Sequence, residues 1–427
     1  MSADTACGFI DMDSFEVQIY LDDRYGKRGK TIYFNRPTIL ADPTSNRIVS
    51  VSPLAKNEYS ITRENTVDEA QEICSNLLII RKGTQYNKPE SRKLRHASWD
   101  VLDAIVALRL ARGWAEIMEI YHSPSDEFYF GLTKILDSIP IGTTFCLKSK
   151  CFGELKQSQV FRKKLRMVFD NTKESRYLYG IYIIDQFRPE ILKDTGFYSS
   201  GAVAVNKIQA KFACALHKPN GLTIMNKAGF GRNSGTNFIQ QLKGFGGDLG
   251  GRIIENINND DPEMTIARLQ QSNVSELMFH LGITEAEAES VHNLCRGHCD
   301  EDVVEKLMTK HVSAGKSNFG RPSLQIQYSG RMKRAFYDLF EELCDKIEED
   351  FRRHNRTGEE IQVFIDVEDP DDDSRYNELE FRVPYELFSQ YRPLTQMAFK
   401  IFKISALGWF GKVEKIKLQF TPTLIYQ

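Results

Sequence analysis

Three carboxylates stand where the chain reads as strand ends. Asp11 closes the apolar run "GFID", while Asp126 and Glu127 follow "HSPS" and lead into "FYFGLT". Adjacent residues of a regular strand face opposite ways, so Asp126 and Glu127 could serve one site only across a turn or bulge. Pro124 and Ser125 supply residues for such a turn. Three carboxylates meeting at neighbouring strand ends would hold two divalent cations roughly 3.5–4 Å apart, the arrangement for in-line phosphoryl transfer. Ligands made of oxygen alone suit Mg²⁺ or Mn²⁺. As bare pattern, acids at strand ends are more often simply solvated, and that alternative stands beside the metal reading.

Two further patterns concern phosphate. "KGFGGDLGGRII", Lys243 to Ile254, resembles the turn of a helix-hairpin-helix, in which Gly244, Gly246 and Gly247 let backbone N–H groups approach a phosphate ahead of a helix N-terminus. The competing explanation is a Gly-rich loop that lets two helices pack closely. Basic residues cluster at Arg162, Lys163, Lys164 and Arg166 and at Lys316, Arg321, Arg331, Lys333 and Arg334, with Lys207, Lys211 and Lys218 along and after one helix. Such runs are usually solvated faces, but a stripe across several domains is the footprint expected for a phosphate backbone. "CRGHC", with Cys295, His298 and Cys299, is half of a zinc site without a second ligand pair, and helix-end packing explains it better.

The elements that must position these residues are mixed. A strand is expected over roughly 7–11, two strands within "KTIYFNRPTILADPTSNRIVSV", and a long helix in "HASWDVLDAIVALRLARGWAEIMEIY" with Ser98 as its N-cap. "YLYGIYIIDQFRPEILKDTGFYSSGAVAVNKIQAKFACALHKPNGLTIM" then supplies a strand or helix segment, a strand and a helix. Short helical segments run to about Lys310, and "HVSAGKSNFGRPS" has linker composition. Beyond it, two helices over a four-stranded sheet are expected, with "DPDDDSRY" as an acidic turn. The 427 residues suggest two to four units, and 41% hydrophobic with 27% charged residues is ordinary globular composition. A net charge of −2 excludes a uniformly basic coat but not a local basic stripe. The N-terminus reads as no secretory signal, no apolar run approaches the ~20 residues of a membrane span, and scattered cysteines fit a reducing compartment.

In order along the chain, these pieces resemble a Y-family (translesion) DNA polymerase. "FIDMDSF" is similar to the family's first metal motif, "SPSDEFYFGLT" to its second, "NKIQAKFACALHKPN" to its palm helix, "LKGFGGDLGGRIIENI" and "LCRG" to its thumb, and "KSNFGRPSL" to the entry of its last domain. The resemblance implies an α+β multidomain right hand: palm at 1–17 and 82–230, small fingers at 18–81, helical thumb at 231–310, linker at 311–318 and an α/β little finger at 319–427. It further implies Asp11, Asp126 and Glu127 as catalytic metal ligands with the Met12 carbonyl, two Mg²⁺ ions (or Mn²⁺), and primer–template DNA and deoxynucleoside triphosphates as partners. Phe15, Glu16, Lys56, Arg63 and Lys218 would line the nucleotide; Gly244, Gly246, Gly247, Lys316 and Arg321 would meet DNA. A nuclear location follows from the same resemblance, and recruitment partners are unspecified.

Departures from the family pattern are as informative. "VSPLAK" stands where "VSYEAR" is usual, so Pro53 replaces a Tyr and Lys56 an Arg, and Lys lacks the bidentate fork of Arg. Glu16 replaces the second aromatic, the ring that excludes a ribose 2′-OH. A carboxylate there adds charge near a triphosphate and needs compensation from Lys56, Lys218 or metal. Residues from Lys316 onward are slightly more acidic than basic. These departures keep a rival in play: a weakly active or inactive polymerase-derived DNA-binding scaffold. An unrelated two-metal nuclease fits the carboxylates but not the remaining motifs.

Overall fold

A computed structural model describes residues 6–123, 126–147, 151–154, 165–234, 253, 266–317, 329–369, 372–386, 388–406 and 412–424. The chain divides into one unit of Met1–Lys82 with Ser91–Leu307 and a second of Gly83–Glu90 with Met308–Gln427.

The first unit is organised by a six-stranded mixed sheet. Its strands are β1 (Cys7–Met12), β2 (Ile120–His122), β3 (Glu127–Gly131), β4 (Cys151–Glu154), β5 (Ser199–Ala204) and β6 (Leu222–Met225), in the spatial order β4-β6-β5-β1-β3-β2. β1 is central and runs antiparallel to both β5 and β3. Both faces of β1 are covered. Ile10 and Met12 join Phe128, Phe130, Ile184 and Val203 in one core, while Phe9 joins Tyr129, Ala202, Phe212 and Leu277 in another. This two-sided burial explains why the sequence before Asp11 is continuously apolar rather than alternating. A fully buried Phe contributes about 2–3 kcal/mol, so Phe9 and Phe130 anchor the sheet from opposite faces.

The long helices about this sheet include α1 (Phe15–Tyr25), α2 (Arg92–Ala111), α3 (Lys173–Thr195) and α4 (Lys207–Leu216). α3 begins where the Thr172 hydroxyl accepts the Ser175 N–H at 3.2 Å and ends at Gly196, whose φ of 82° only glycine adopts without strain. It lies against β1 and β5 because glycine stands at the contact: a Cβ on Gly8 would meet Ile184 Cδ1 at 2.5 Å, and one on Gly201 would meet Ile184 Cγ2 at 2.8 Å. α4 starts at Asn206, which accepts the Gln209 N–H at 3.0 Å, and covers the opposite face together with the helices Val274–Leu281 and Glu285–Cys295. A separate three-stranded sheet pairs Thr38–Ala41 with Ile48–Val51 and Leu78–Arg81.

The second unit is an antiparallel sheet of β7 (Val312–Ser317), β8 (Glu360–Asp369), β9 (Asp372–Pro384) and β10 (Val413–Phe420), ordered β7-β10-β8-β9. Helices α5 (Ser329–His354) and α6 (Tyr391–Ser405) bury Phe336, Phe340, Leu343, Leu394 and Phe402 against Ile361, Val363 and Ile365. The expected two helices and four strands are therefore present.

Several expectations need correction. Ser98 caps nothing: α2 starts at Arg92, and Ser98 lies inside it, buried, with its hydroxyl 3.1 Å from His122 Nε2. Residues 312–317, read as linker, form strand β7, in which Val312 and Ala314 are buried and Ser313 and Gly315 exposed. The segment read as two strands from Lys30 begins within a helix, Arg28–Asn35. The acidic turn is shorter than expected, since β8 runs to Asp369 and β9 starts at Asp372. Gly83–Glu90, placed with the palm, groups with the second unit. Asn87 Nδ2 donates to Asp338 at 2.7 Å, and the Lys88 ammonium meets the buried Glu342 carboxylate.

Candidate active site

β1 emerges from the core at its C-terminal end, and Asp11 is its one half-exposed residue. Its register partner on β3 is Glu127. Partners directly opposite on antiparallel strands share a face with Cβ atoms about 4.5–5.5 Å apart, and two like charges so placed repel. The pair therefore requires positive charge, and α4 delivers it. Lys211 Nζ lies 2.6 Å from Glu127 Oε1, and the Lys218 ammonium, just beyond the helix, contacts the Asp11 carboxylate. Tyr129, two residues along on the same face, donates its hydroxyl to Glu127 Oε2 at 3.2 Å. Burial raises the Tyr129 pKa and the Glu127 charge adds to the rise, so Tyr129 remains a donor.

Asp126 is the third expected ligand, and it stands to the side. It lies in a turn with φ 60°, donating its N–H to the Ser123 carbonyl at 3.1 Å, while its carboxylate is 3.8 Å from His122 Nε2. Pro124 and Ser125, expected to form a turn here, lie outside the described residues, and Asp126 itself is aimed at His122. Among the described residues no three His, Cys, Asp or Glu side chains gather as a metal site, at these carboxylates or at Cys295, His298 and Cys299. Cys295 is instead buried at the end of its helix. Asp11 and Glu127 nevertheless fit hard divalent cations in donor type and in charge, because each now binds an ammonium where a cation is demanded. Met12 buries its side chain, which leaves only its backbone to offer.

The expected nucleotide residues fall into two groups. Phe15 is buried edge-on against Phe197, with ring centroids 5.2 Å apart. Glu16, next to it in the first turn of α1, receives a hydrogen bond from Lys82 Nζ at 3.0 Å. Its partner here is Lys82, just beyond the strand Leu78–Arg81, a residue not among the Lys56, Lys218 or metal offered from the sequence. Lys56 and Arg63 are exposed beside the small sheet. Pro53 has a local cause: it is the first residue of the helix Pro53–Tyr59, where a missing N–H costs nothing, behind the N-cap Ser52. Lys316 lies in β7 and donates to the Asn87 carbonyl at 3.3 Å. Gly244, Gly246, Gly247, Arg321 and the basic cluster at 162–164 lie outside the described residues.

Asp13 is the residue that sequence reasoning passed over. It is 1% exposed. Its Oδ1 accepts from the Ser200 hydroxyl at 2.8 Å and its Oδ2 from the Asn220 N–H at 2.7 Å. Burial pushes its carboxyl pKa upward, and the Lys218 charge and these donors oppose the rise. Lys218 itself loses from burial but gains more from Asp11 and Asp13, and its pKa is raised. The signal in the sequence was the second acid of "DMD", whose parity with Asp11 concealed that the strand ends between them.

A family model described as impB/mucB/samB matches residues 10–215, the stretch that contains Asp11, Glu127 and Lys211. Over this stretch the chain is similar to the Y-family polymerases. It is 24% identical over 371 residues to DNA polymerase eta of Arabidopsis thaliana, covering 83% of this chain and 52% of that protein. With DNA polymerase eta of Drosophila melanogaster it shares 22% over 378 residues, 83% of this chain and 41% of that one. DNA polymerase IV of Clostridioides difficile (strain 630) is 22% identical over 364 residues, 84% of this chain and 79% of its own length. The chain thus spans about half the length of the eta relatives it matches.

Proposed function

We propose that this chain is a template-directed DNA polymerase of the translesion class, extending a primer 3′-OH with low fidelity from nucleoside triphosphates. The observation that carries the reading is the Asp11–Glu127 pair: two carboxylates in register on central strands, each held by an ammonium, within the stretch similar to Y-family polymerases. Asp11, Glu127 and the Met12 carbonyl, joined by Asp126 on rotation of its turn, would hold two Mg²⁺ ions. When bound, these supply a lowered pKa for the primer 3′-OH and charge neutralisation of the triphosphate.

The chain's own residues would do the rest. Lys218, released from Asp11, would meet triphosphate oxygens, and Lys56 and Arg63 would add cationic reach from the small sheet. Phe15 and Glu16 would lie under the sugar, with Glu16 offering an acceptor to a 2′-OH in place of a wall. Selection against ribonucleotides would therefore be poor. Gly244, Gly246, Gly247, Lys316 and Arg321 are proposed DNA contacts, in domains corresponding to palm, fingers, thumb and little finger. The likeness to eta favours a nuclear repair role, and among the described residues no helix is long and apolar enough to cross a membrane.

The test is primer extension with Mg²⁺. Asp126→Ala or Glu127→Ala should abolish extension while primer–template binding persists. Undiminished extension by the variants would sink the assignment, and DNA binding without extension by the wild type would favour a scaffold.

A further inference from the structure

We propose that Asp13 is a positioning residue that aims Lys218 by fixing the loop between α4 and β6, an inference that rests on the polymerase reading above. Lys218 stands at the start of this loop, and Asn220 and Gly221 complete it. Asp13 accepts the Asn220 N–H at 2.7 Å, and the Ser200 hydroxyl that donates to Asp13 in turn accepts the Gly221 N–H at 3.2 Å. One buried carboxylate thereby orders both backbone donors that follow Pro219. Asn220 is held from its other side as well, its Oδ1 bonded to Arg188 Nη2, while Arg188 Nε donates to the Ser199 carbonyl at 2.9 Å. The Asn220 backbone has φ 56°, in the left-handed region that Asn tolerates better than most residues with a side chain.

Asp13 is itself held rigidly. Its carbonyl accepts from Gln18 Nε2 at 2.6 Å and from the Tyr33 hydroxyl at 2.8 Å, and its N–H donates to the Tyr198 carbonyl at 3.1 Å. The same strand end thus carries Asp11, which binds the Lys218 ammonium, and Asp13, which binds the Lys218 loop. Asp11, not Asp13, makes the contact with the Lys218 ammonium, and the Asp13 charge acts on that ammonium from further off. Asp13 acts by keeping a flexible four-carbon stem rooted where the lysine charge reaches both Asp11 and an incoming triphosphate. A catalytic cation displaced by about 1 Å can cost on the order of 100-fold in rate.

The test is a double-mutant cycle read by single-turnover dNTP incorporation, with melting temperature and primer–template affinity measured for every variant. Asp13→Ala should lower kcat/KM for dNTP by about 10–100-fold with primer–template affinity unchanged. In a Lys218→Ala background the same substitution should lower it by less than about 2-fold, because the group it aims is gone. Asp13→Asn should recover most of the loss, since Oδ1 can still accept the Asn220 N–H while Nδ2 donates to Ser200. If Asp13→Ala fails to fold, Ser200→Ala serves in the same cycle, with a loss of about 3–10-fold that again disappears in Lys218→Ala. Losses that multiply in the double variant, or a fall in DNA affinity that accounts for the whole effect, overturn the positioning role. A wild-type chain that extends no primer overturns the polymerase reading instead.

Discussion

Replacing Lys82 by Met keeps its aliphatic stem and removes the ammonium that neutralises Glu16. The two groups are 3.0 Å apart, with side chains 8% and 19% exposed. At an effective dielectric constant near 20 their attraction is about 5 kcal/mol before desolvation, most of which the loss of hydration offsets. Removing one partner of a buried pair costs about 3–5 kcal/mol, and of an exposed pair about 0–1. Glu16 keeps partial contact with water, so the intermediate figure of about 2 kcal/mol applies, equivalent to a fall of about 3 °C in melting temperature for a unit of this size. Glu16→Gln in the same chain should recover most of that loss, with a coupling of about 1.5 kcal/mol between the sites. The assay is urea unfolding of the four members of the cycle, followed by dATP and ATP incorporation opposite T. Freed from Lys82, Glu16 should shift the dATP/ATP ratio. A coupling below about 0.3 kcal/mol, the margin of independent sites, would show that Lys82 does not hold Glu16 and refute the reasoning.

Two further perturbations test the scaffold. Gly201→Ala forces a Cβ to within 2.8 Å of Ile184 Cγ2 and 3.4 Å of the Phe9 carbonyl, so it should destabilise the chain by about 1–3 kcal/mol in urea; a smaller change would mean that α3 and the sheet can separate freely. Hydrogen bonds from Ser175 and Thr172 at the start of α3 hold the Asp170 pKa at about 2, below its ordinary 3.8. Stability from a depressed carboxylate is complete above its unfolded pKa and is lost as pH falls through the folded one. Asp170→Asn should therefore lower the melting temperature at neutral pH, with the gap closing between pH 3.8 and about 2; a gap that persists in stronger acid would count against this account.

What could be read in advance was what local pattern encodes. The apolar run into Asp11, the strand from Glu127 and the two helices of the second unit each depend on neighbouring residues, and each is found where it was expected. Ser98 was misread because the start of α2, Arg92 to Arg95, is basic and carries no apolar period, so the helix seemed to begin later. "VSAGKS" has the composition of a linker and becomes a strand only by pairing with β10, about 100 residues onward. The same non-locality hid the partners of the acids. Lys82 is 66 positions from Glu16, and Asn220 is 207 from Asp13, so no window of sequence shows either contact. Asp126 was legible as a turn residue, but its orientation toward His122 depends on where β2 lies beside β3.

The most direct test of the central claim is single-turnover primer extension on an undamaged template with Mg²⁺, comparing dATP and ATP opposite T, with Glu127→Ala as control. The account predicts extension by the wild type with weak preference for dATP, and none by Glu127→Ala although it still binds the primer–template. Equal extension by Glu127→Ala would contradict the claim that Asp11 and Glu127 form the catalytic centre.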